Sequence, residues 1–150
     1  MQLKTKYSGD VEVDDSQVIH FPQGIPSFEE ERSFVMLPFS AEPNPFYILQ
    51  SVTTSELAFV MADPFPFFSD YRVELTDSTI EQLDIKKEEE VSIFGVLTVK
   101  DPFEETTVNL SGPIVINNRE KRGKQILLQD GKYHTRHRFL TESSAHREAR

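Results

Sequence analysis

The 150-residue chain has no cysteine and no tryptophan, and its six glycines are scattered at positions 9, 24, 95, 112, 123 and 131. Without cysteine there is no disulfide framework, no all-thiolate zinc or iron–sulfur site and no cysteine nucleophile; a reducing compartment suits such a chain. The glycine spacing excludes a phosphate-cradling loop and a dinucleotide fingerprint, and no Gly-x-Ser-x-Gly elbow is spelled. Apolar runs stay far below the roughly 18–20 residues a membrane helix needs. The opening Met1-Gln2-Leu3-Lys4-Thr5 has no apolar signal core. The expectation is a cytoplasmic protein that does not enter a membrane.

What the chain has in quantity is acid, phenylalanine and proline. Twenty-five acidic residues stand against 16 basic ones, for a net charge of −9, and there are 12 phenylalanines and 9 prolines. Residues 1–105 hold 21 acids and 7 bases, whereas residues 106–150 hold 4 and 9. The acidic part should repel nucleic acid and favour basic partners, or it serves only to keep the surface solvated. With 37% hydrophobic and 27% charged residues the chain can bury a real core, and its length suits one domain.

Apolar residues alternate with a period of two, the mark of half-buried strands, over 3–7, 11–13, 18–21, 33–37, 46–52, 57–62, 71–75, 91–99, 107–110, 114–116, 125–128 and 133–140. Pro, Gly and Asp clusters bound most of these runs. Asp130-Gly131 reads as a hairpin turn between the last two. Ser78-Thr79-Ile80-Glu81 reads as a capping box, with Ile80, Leu83 and Ile85 facing the core from a short helix. Ser27-Phe28-Glu29-Glu30 offers a second box, one helical turn with Glu29-Glu30-Glu31 at its positive end. The fold class is therefore all-β with one or two short helices: a single-domain antiparallel barrel-like or sandwich fold over residues 1–140. Residues 141–150 have little to anchor them and should fray.

The search for chemistry finds little. His134-x-x-His137 has metal-ligand spacing, but on a strand residues three apart point to opposite faces, so no metal site is expected. His20, between Ile19 and Phe21, reads as a packed or turn-bonded histidine. Asn109-Leu110-Ser111 spells a glycosylation sequon in a chain with no mark of secretion. Runs of exposed acid lack the setting that perturbs a catalytic carboxylate, so no catalytic residue, cofactor or enzyme activity is expected.

Two segments admit a functional reading. In Asp63-Pro64-Phe65-Pro66-Phe67-Phe68 the prolines withhold amide donors and stiffen the backbone, so three phenylalanines either form a pre-ordered docking surface or plug one end of the barrel. Asn117–Lys124 is a basic loop, followed by His134, Arg136 and Arg138 on one strand face; this is either an RNA contact or a plain solvated hairpin loop. No aromatic residue is interleaved there for stacking, so no direct nucleic-acid binding is expected.

Four motifs then carry a family resemblance: Phe21-Pro22-Gln23-Gly24-Ile25-Pro26-Ser27-Phe28-Glu29, Pro45-Phe46-Tyr47-Ile48-Leu49-Gln50-Ser51, Val108-Asn109-Leu110-Ser111-Gly112-Pro113-Ile114-Val115-Ile116-Asn117 and Tyr133-His134-Thr135-Arg136. In order and spacing the chain resembles the bacterial flagellar assembly factor FliW family over about residues 1–140. It departs at Ser27, where the family commonly has glycine, and at Ser111-Gly112, where Leu-Ala or similar is usual. The resemblance implies a non-enzymatic partner switch. Such a protein holds flagellin before export and, once freed, binds the translational repressor CsrA, relieving repression of flagellin mRNA. An amphipathic flagellin helix would need an apolar strip, which Phe46, Ile48, Phe65, Phe67 and Phe68 are expected to supply. For CsrA the candidates are acidic: Asp70, Glu74, Glu88, Glu89 and Glu90. Two alternatives stay open, a small-ligand-binding β-barrel marked by a deep apolar pocket and a hydrolase marked by a His–carboxylate pair in a cleft.

Overall fold

The computed structural model describes residues 1–129 and 131–138. Seven strands close a ring in chain order: β3 (Ile19–His20), β4 (Ser33–Pro38), β5 (Phe46–Ser51), β6 (Ala58–Ala62), β7 (Val91–Thr98), β8 (Thr107–Asn117) and β9 (Arg122–Gln125), which returns to β3. Neighbours are antiparallel except at the seam, where His20 pairs with Arg122 in parallel and its amide donates to the Lys121 carbonyl at 2.8 Å. The parallel seam is a geometric necessity, since alternating directions cannot close on a ring with an odd number of members.

The alternation seen in the sequence sorts side chains into and out of this ring. Ile19, Phe21, Phe34, Leu49, Met61, Phe94, Ile114 and Ile116 fill the interior, with Phe21 edge-on to Phe34 at 5.1 Å and Tyr47 edge-on to Phe94 at 5.3 Å. Each such buried side chain stabilises the fold by about 1.5–3 kcal/mol. These side chains fill the centre of the ring, where a small-ligand-binding barrel would hold its ligand. Gly123 lies against the Phe21 ring, where a Cβ would come within 2.6 Å of it. His20, expected to be packed or turn-bonded, is exposed, because Ile19 and Phe21 take the inward positions on either side of it.

The outer face is covered in three patches. β1 (Gln2–Lys4) and β2 (Asp10–Glu12) pair with each other and lay Leu3 and Val13 over Val35, Leu37 and Ile48. The helix α1 (Asp77–Gln82) brings Leu83 onto Val115 and Ile126. Between them a strap, residues 63–75, crosses Ala62, Leu97, Val108 and Leu110. A strand was expected over 71–75. Tyr71 is buried, Val73 and Leu75 are half-buried, and Arg72 and Glu74 are exposed, so the alternation is real, but no ladder forms there. Alternation reports one buried face, and here that face is held by side chains, with the Tyr71 hydroxyl donating to the Leu110 carbonyl at 2.7 Å.

The runs 107–110 and 114–116 are one strand interrupted by a bulge. The register passes from Phe94–Ile114 to Val96–Asn109, so residues 110–113 stand opposite Gly95 alone. Asn109 organises the bulge: its Oδ1 accepts from the Ser111 amide at 3.1 Å and the Gly112 amide at 2.8 Å. Pro113, which cannot donate to a ladder, sits in the bulge. A hairpin was expected at Asp130-Gly131, of which Asp130 lies outside the described residues. The two flanking segments pair with successive parts of β8 instead of with each other. The Ile126 and Leu128 amides donate to Pro113 and Ser111, the Leu110 amide donates to His134, and β10 (His137–Arg138) pairs with Thr107 and Val108. The expected frayed tail, 141–150, also lies outside the described residues.

Neither expected capping box forms as spelled. Thr76 caps α1 by accepting from the Thr79 amide at 3.1 Å, two residues ahead of Ser78. The helix face turns accordingly, so Leu83 is buried and Ile80 is exposed. At Ser27 no helix forms. Pro26 and Ser27 occupy a tight turn in which Ser27 has φ 75°, the pattern of a type II turn and the site where the resembled family has glycine. Glu29–Glu31 therefore sit at no helix dipole.

Asn117, read as the start of a basic loop, is fully buried. Its Nδ2 donates to the Leu83 and Asp84 carbonyls at 2.8 and 3.1 Å, and its Oδ1 accepts from the Arg119 and Glu120 amides. It ties the end of α1 to the barrel. Asn117→Ala strands these groups and should lower unfolding free energy by about 2–3 kcal/mol in urea titration. A loss under about 0.5 kcal/mol would contradict the role.

Candidate functional site

The connections after β4, β6 and β7 meet at one end of the barrel and carry exposed phenylalanines. Phe39 is 50% exposed, Phe65 40% and Phe103 39%. Half-buried Phe46 is the hub, with ring centroids 5.8 Å from Phe39, 6.0 Å from Phe67 and 6.3 Å from Phe103. Phe65 lies at the edge of the group, 5.7 Å from Tyr71. Side chains brace the loops: Asn44 donates to Ser40 and the Glu42 carbonyl while accepting from the Phe46 amide, and Asp63 accepts from the Phe65 amide.

Of the five residues expected to form an apolar strip, Phe46, Phe65 and Phe67 lie in this rim. Phe68, half-buried like Phe67, packs instead against His137 at 5.8 Å, and Ile48 is only 3% exposed beneath β1 and β2. Ile48 therefore does not belong to the surface. The outward positions of β5 split between two covers, which the alternation alone does not reveal. Phe39 and Phe103 were missed, although a signal existed. Pro38-Phe39, Pro45-Phe46, Pro64-Phe65, Pro66-Phe67 and Pro102-Phe103 are the chain's five Pro-Phe dipeptides, and all five lie at this rim.

The acidic candidates divide as well. Asp70 and Glu74 are exposed on the strap. Glu74 and Glu88 edge a groove of about 560 Å³ whose walls are Val73, Leu75, Ile80, Ile85, Val91 and Ile93. Glu89 is exposed beside it. Glu90 is not free to meet a partner. Its carboxylate accepts from the Lys86 and Lys87 amides at 3.1 and 3.2 Å and pairs with Arg119 at 3.1 Å, and its side chain is 11% exposed. The Lys86 amide above all, then Arg119, holds it below the usual carboxylate range.

Glu31 is the second carboxylate so held. The Ser51 hydroxyl, then that of Thr54 at 2.7 Å, and that of Thr53 at 3.1 Å, all donate to it and lower its pKa. Its partners clamp the turn after β5, so its role is structural. His134 and His137 do come together, with rings stacked at 5.3 Å, because the segment turns where an extended strand was expected. The His137 Nε2, however, accepts from the His134 amide at 2.9 Å. Among the described residues no group of three or more His, Asp or Glu is placed to hold a metal ion.

The fold and these surfaces define a small β-barrel presenting an aromatic rim and an acid-edged apolar groove, the kinds of surface on which proteins dock. A family model described as FliW protein matches residues 2–139. The flagellar assembly factor FliW of Geobacillus kaustophilus (strain HTA426) is 49% identical over 145 residues, which span 97% of this chain and 99% of that one. The corresponding Bacillus subtilis (strain 168) protein is 44% identical over 143 residues, 95% of this chain and 99% of that one. A crystal structure of the flagellar assembly factor FliW superposes with a TM-score of 0.88 at 46% identity, covering 93% of this chain and 97% of the other. The chain belongs to the FliW family.

The lowered pKa of Glu31 has a stability consequence with a definite sign. A depressed folded-state pKa contributes stability above the unfolded value, near 4.5, that is lost as pH falls through the folded value. Glu31→Gln should therefore narrow the stability difference between about pH 7 and about pH 4, read by urea titration at each. An unchanged difference would show that Glu31 contributes nothing to the acid limb.

Proposed function

We propose that this chain is a non-enzymatic flagellar assembly factor that binds flagellin in the cytoplasm. Once flagellin export frees it, it binds the translational repressor CsrA and relieves repression of flagellin mRNA. Relatives named flagellar assembly factor support the first part. The observation that carries the reading is the Pro-Phe rim. Phenylalanines on proline-stiffened, side-chain-braced loops lose little further freedom on docking, and an amphipathic flagellin helix needs such an apolar strip. Phe39, Phe46, Phe65, Phe67 and Phe103 are the flagellin-facing set. For CsrA, an RNA-binding and hence basic protein, Glu74, Glu88 and Glu89 around the apolar groove are the contact set, with Asp70 exposed further back on the strap.

These two faces lie at opposite ends of β7, Ile93 in the groove and Phe103 just past the other end. The strap joins them, with Phe65 and Phe67 near its start and Glu74 near its end. A switch between partners then works by linkage through the strap, without overlap of the sites.

Binding by titration calorimetry tests both assignments. Phe39→Ser with Phe65→Ser and Phe103→Ser should weaken flagellin binding at least about tenfold while CsrA binding and the melting curve hold. Glu88→Lys with Glu89→Lys should do the converse, slowing CsrA association and flattening its salt dependence. Normal flagellin binding by a folded rim variant would remove the rim from the interface.

A further inference from the structure

Two features remain unused by either proposed partner face, the turn at Phe21–Gly24 and the basic loop before β9. They meet. His20 and Arg122 stand opposite each other on the parallel seam, and with Arg32 and Lys124 they line a cleft of about 650 Å³. Phe21 and Gly123 form its floor, and Gln82 at the end of α1 forms one wall.

The cations in this cleft are paired only with neutral oxygens. Arg122 donates to the Gln82 carbonyl at 3.3 Å, Lys124 to the Gln82 side-chain oxygen, and Arg32 through Nε to the Glu29 carbonyl at 3.4 Å. Among the described residues none of the three has a carboxylate within ion-pair distance. The acid in the lining, Glu120, lies 3.9 Å from Arg119, which is not a lining residue. In a chain with 25 acids to 16 bases, three cations without an ion-paired carboxylate share one concavity with a single acid, Glu120, which leaves a net positive site whose remaining counter-charge comes from outside.

We propose that this cleft binds an acidic peptide, a carboxylate-bearing segment of a protein partner. Arg32 and Arg122 offer planar forks that match carboxylates, Lys124 offers a point charge, and the volume takes a few side chains. A nucleic acid fits poorly. The aromatic ring at the site, Phe21, is fully buried and cannot stack on a base, and a polyanion running past three cations would meet the acidic body.

The probe is a capped hexapeptide of alternating glutamate and leucine, titrated into the full chain and followed by amide chemical shifts and calorimetry. Its glutamine counterpart and inorganic phosphate serve as separate arms. The glutamate peptide should bind with a dissociation constant of about 0.1–1 mM, shift the amides of His20, Gln23, Arg122, Gly123 and Lys124, and weaken with salt. Arg122→Glu with Lys124→Glu should reduce affinity at least about tenfold. Arg32→Glu, on an exposed residue outside the strands, should do so too and serves if the double variant fails to fold. Equal binding of the glutamine peptide, shifts confined to other surfaces, or binding of phosphate alone would each overturn the proposal.

Discussion

The bulge in β8 holds three separate parts of the chain against the barrel. Residues 110–113 crowd opposite a single residue of β7, and a bulge of that size leaves backbone polar groups that must be satisfied. Asn109 takes the Ser111 and Gly112 amides from within. Everything else arrives from outside: Tyr71 donates to the Leu110 carbonyl, Gln125 to the Gly112 carbonyl, Ile126 to the Pro113 carbonyl, and Leu110 itself donates to His134. One irregularity thus anchors the strap, the last barrel strand and the segment leading to β10. The Asn109-Leu110-Ser111 spelling, which looks like a glycosylation sequon, is the core of this device.

The strap gains its importance from that anchor. Its start places phenylalanines at the aromatic rim, its end places Glu74 at the apolar groove, and the Tyr71 hydroxyl fixes its middle. In the proposed two-partner function, a partner that moves one end must work against the same buried hydrogen bond as a partner at the other. This offers a physical route by which two separated sites become thermodynamically linked.

Much of the barrel was legible in the alternation, because strands with one face in a filled core leave a period of two that short apolar runs cannot hide. The ring partners were not legible, since period says nothing about what a strand pairs with; residues 71–75 alternate without a ladder, and 125–128 and 133–138 share β8 instead of each other. The site was readable only in part. Phe65 and Phe67 of the proposed rim emerged from the proline-rich stretch and Phe46 from the expected apolar strip, whereas Phe39 and Phe103 lay in distant loops linked only by the repeated Pro-Phe dipeptide. Ile48 was lost to a cover formed by residues far away in the chain, and Glu90 to hydrogen bonds with its own turn and a residue 29 positions on. Such long-range closures decide which of several similar side chains stays exposed.

In the proposed function the strap, pinned at Tyr71, couples the rim to the groove. The decisive measurement is CsrA affinity with and without saturating flagellin, in the natural chain and in Tyr71→Phe, which removes the hydroxyl and keeps the ring. Flagellin should weaken CsrA binding at least about tenfold, about 1.4 kcal/mol of coupling, in the natural chain. In the variant that factor should shrink severalfold while each separate affinity is kept. Equal coupling in both proteins, or none in the natural chain, would contradict it.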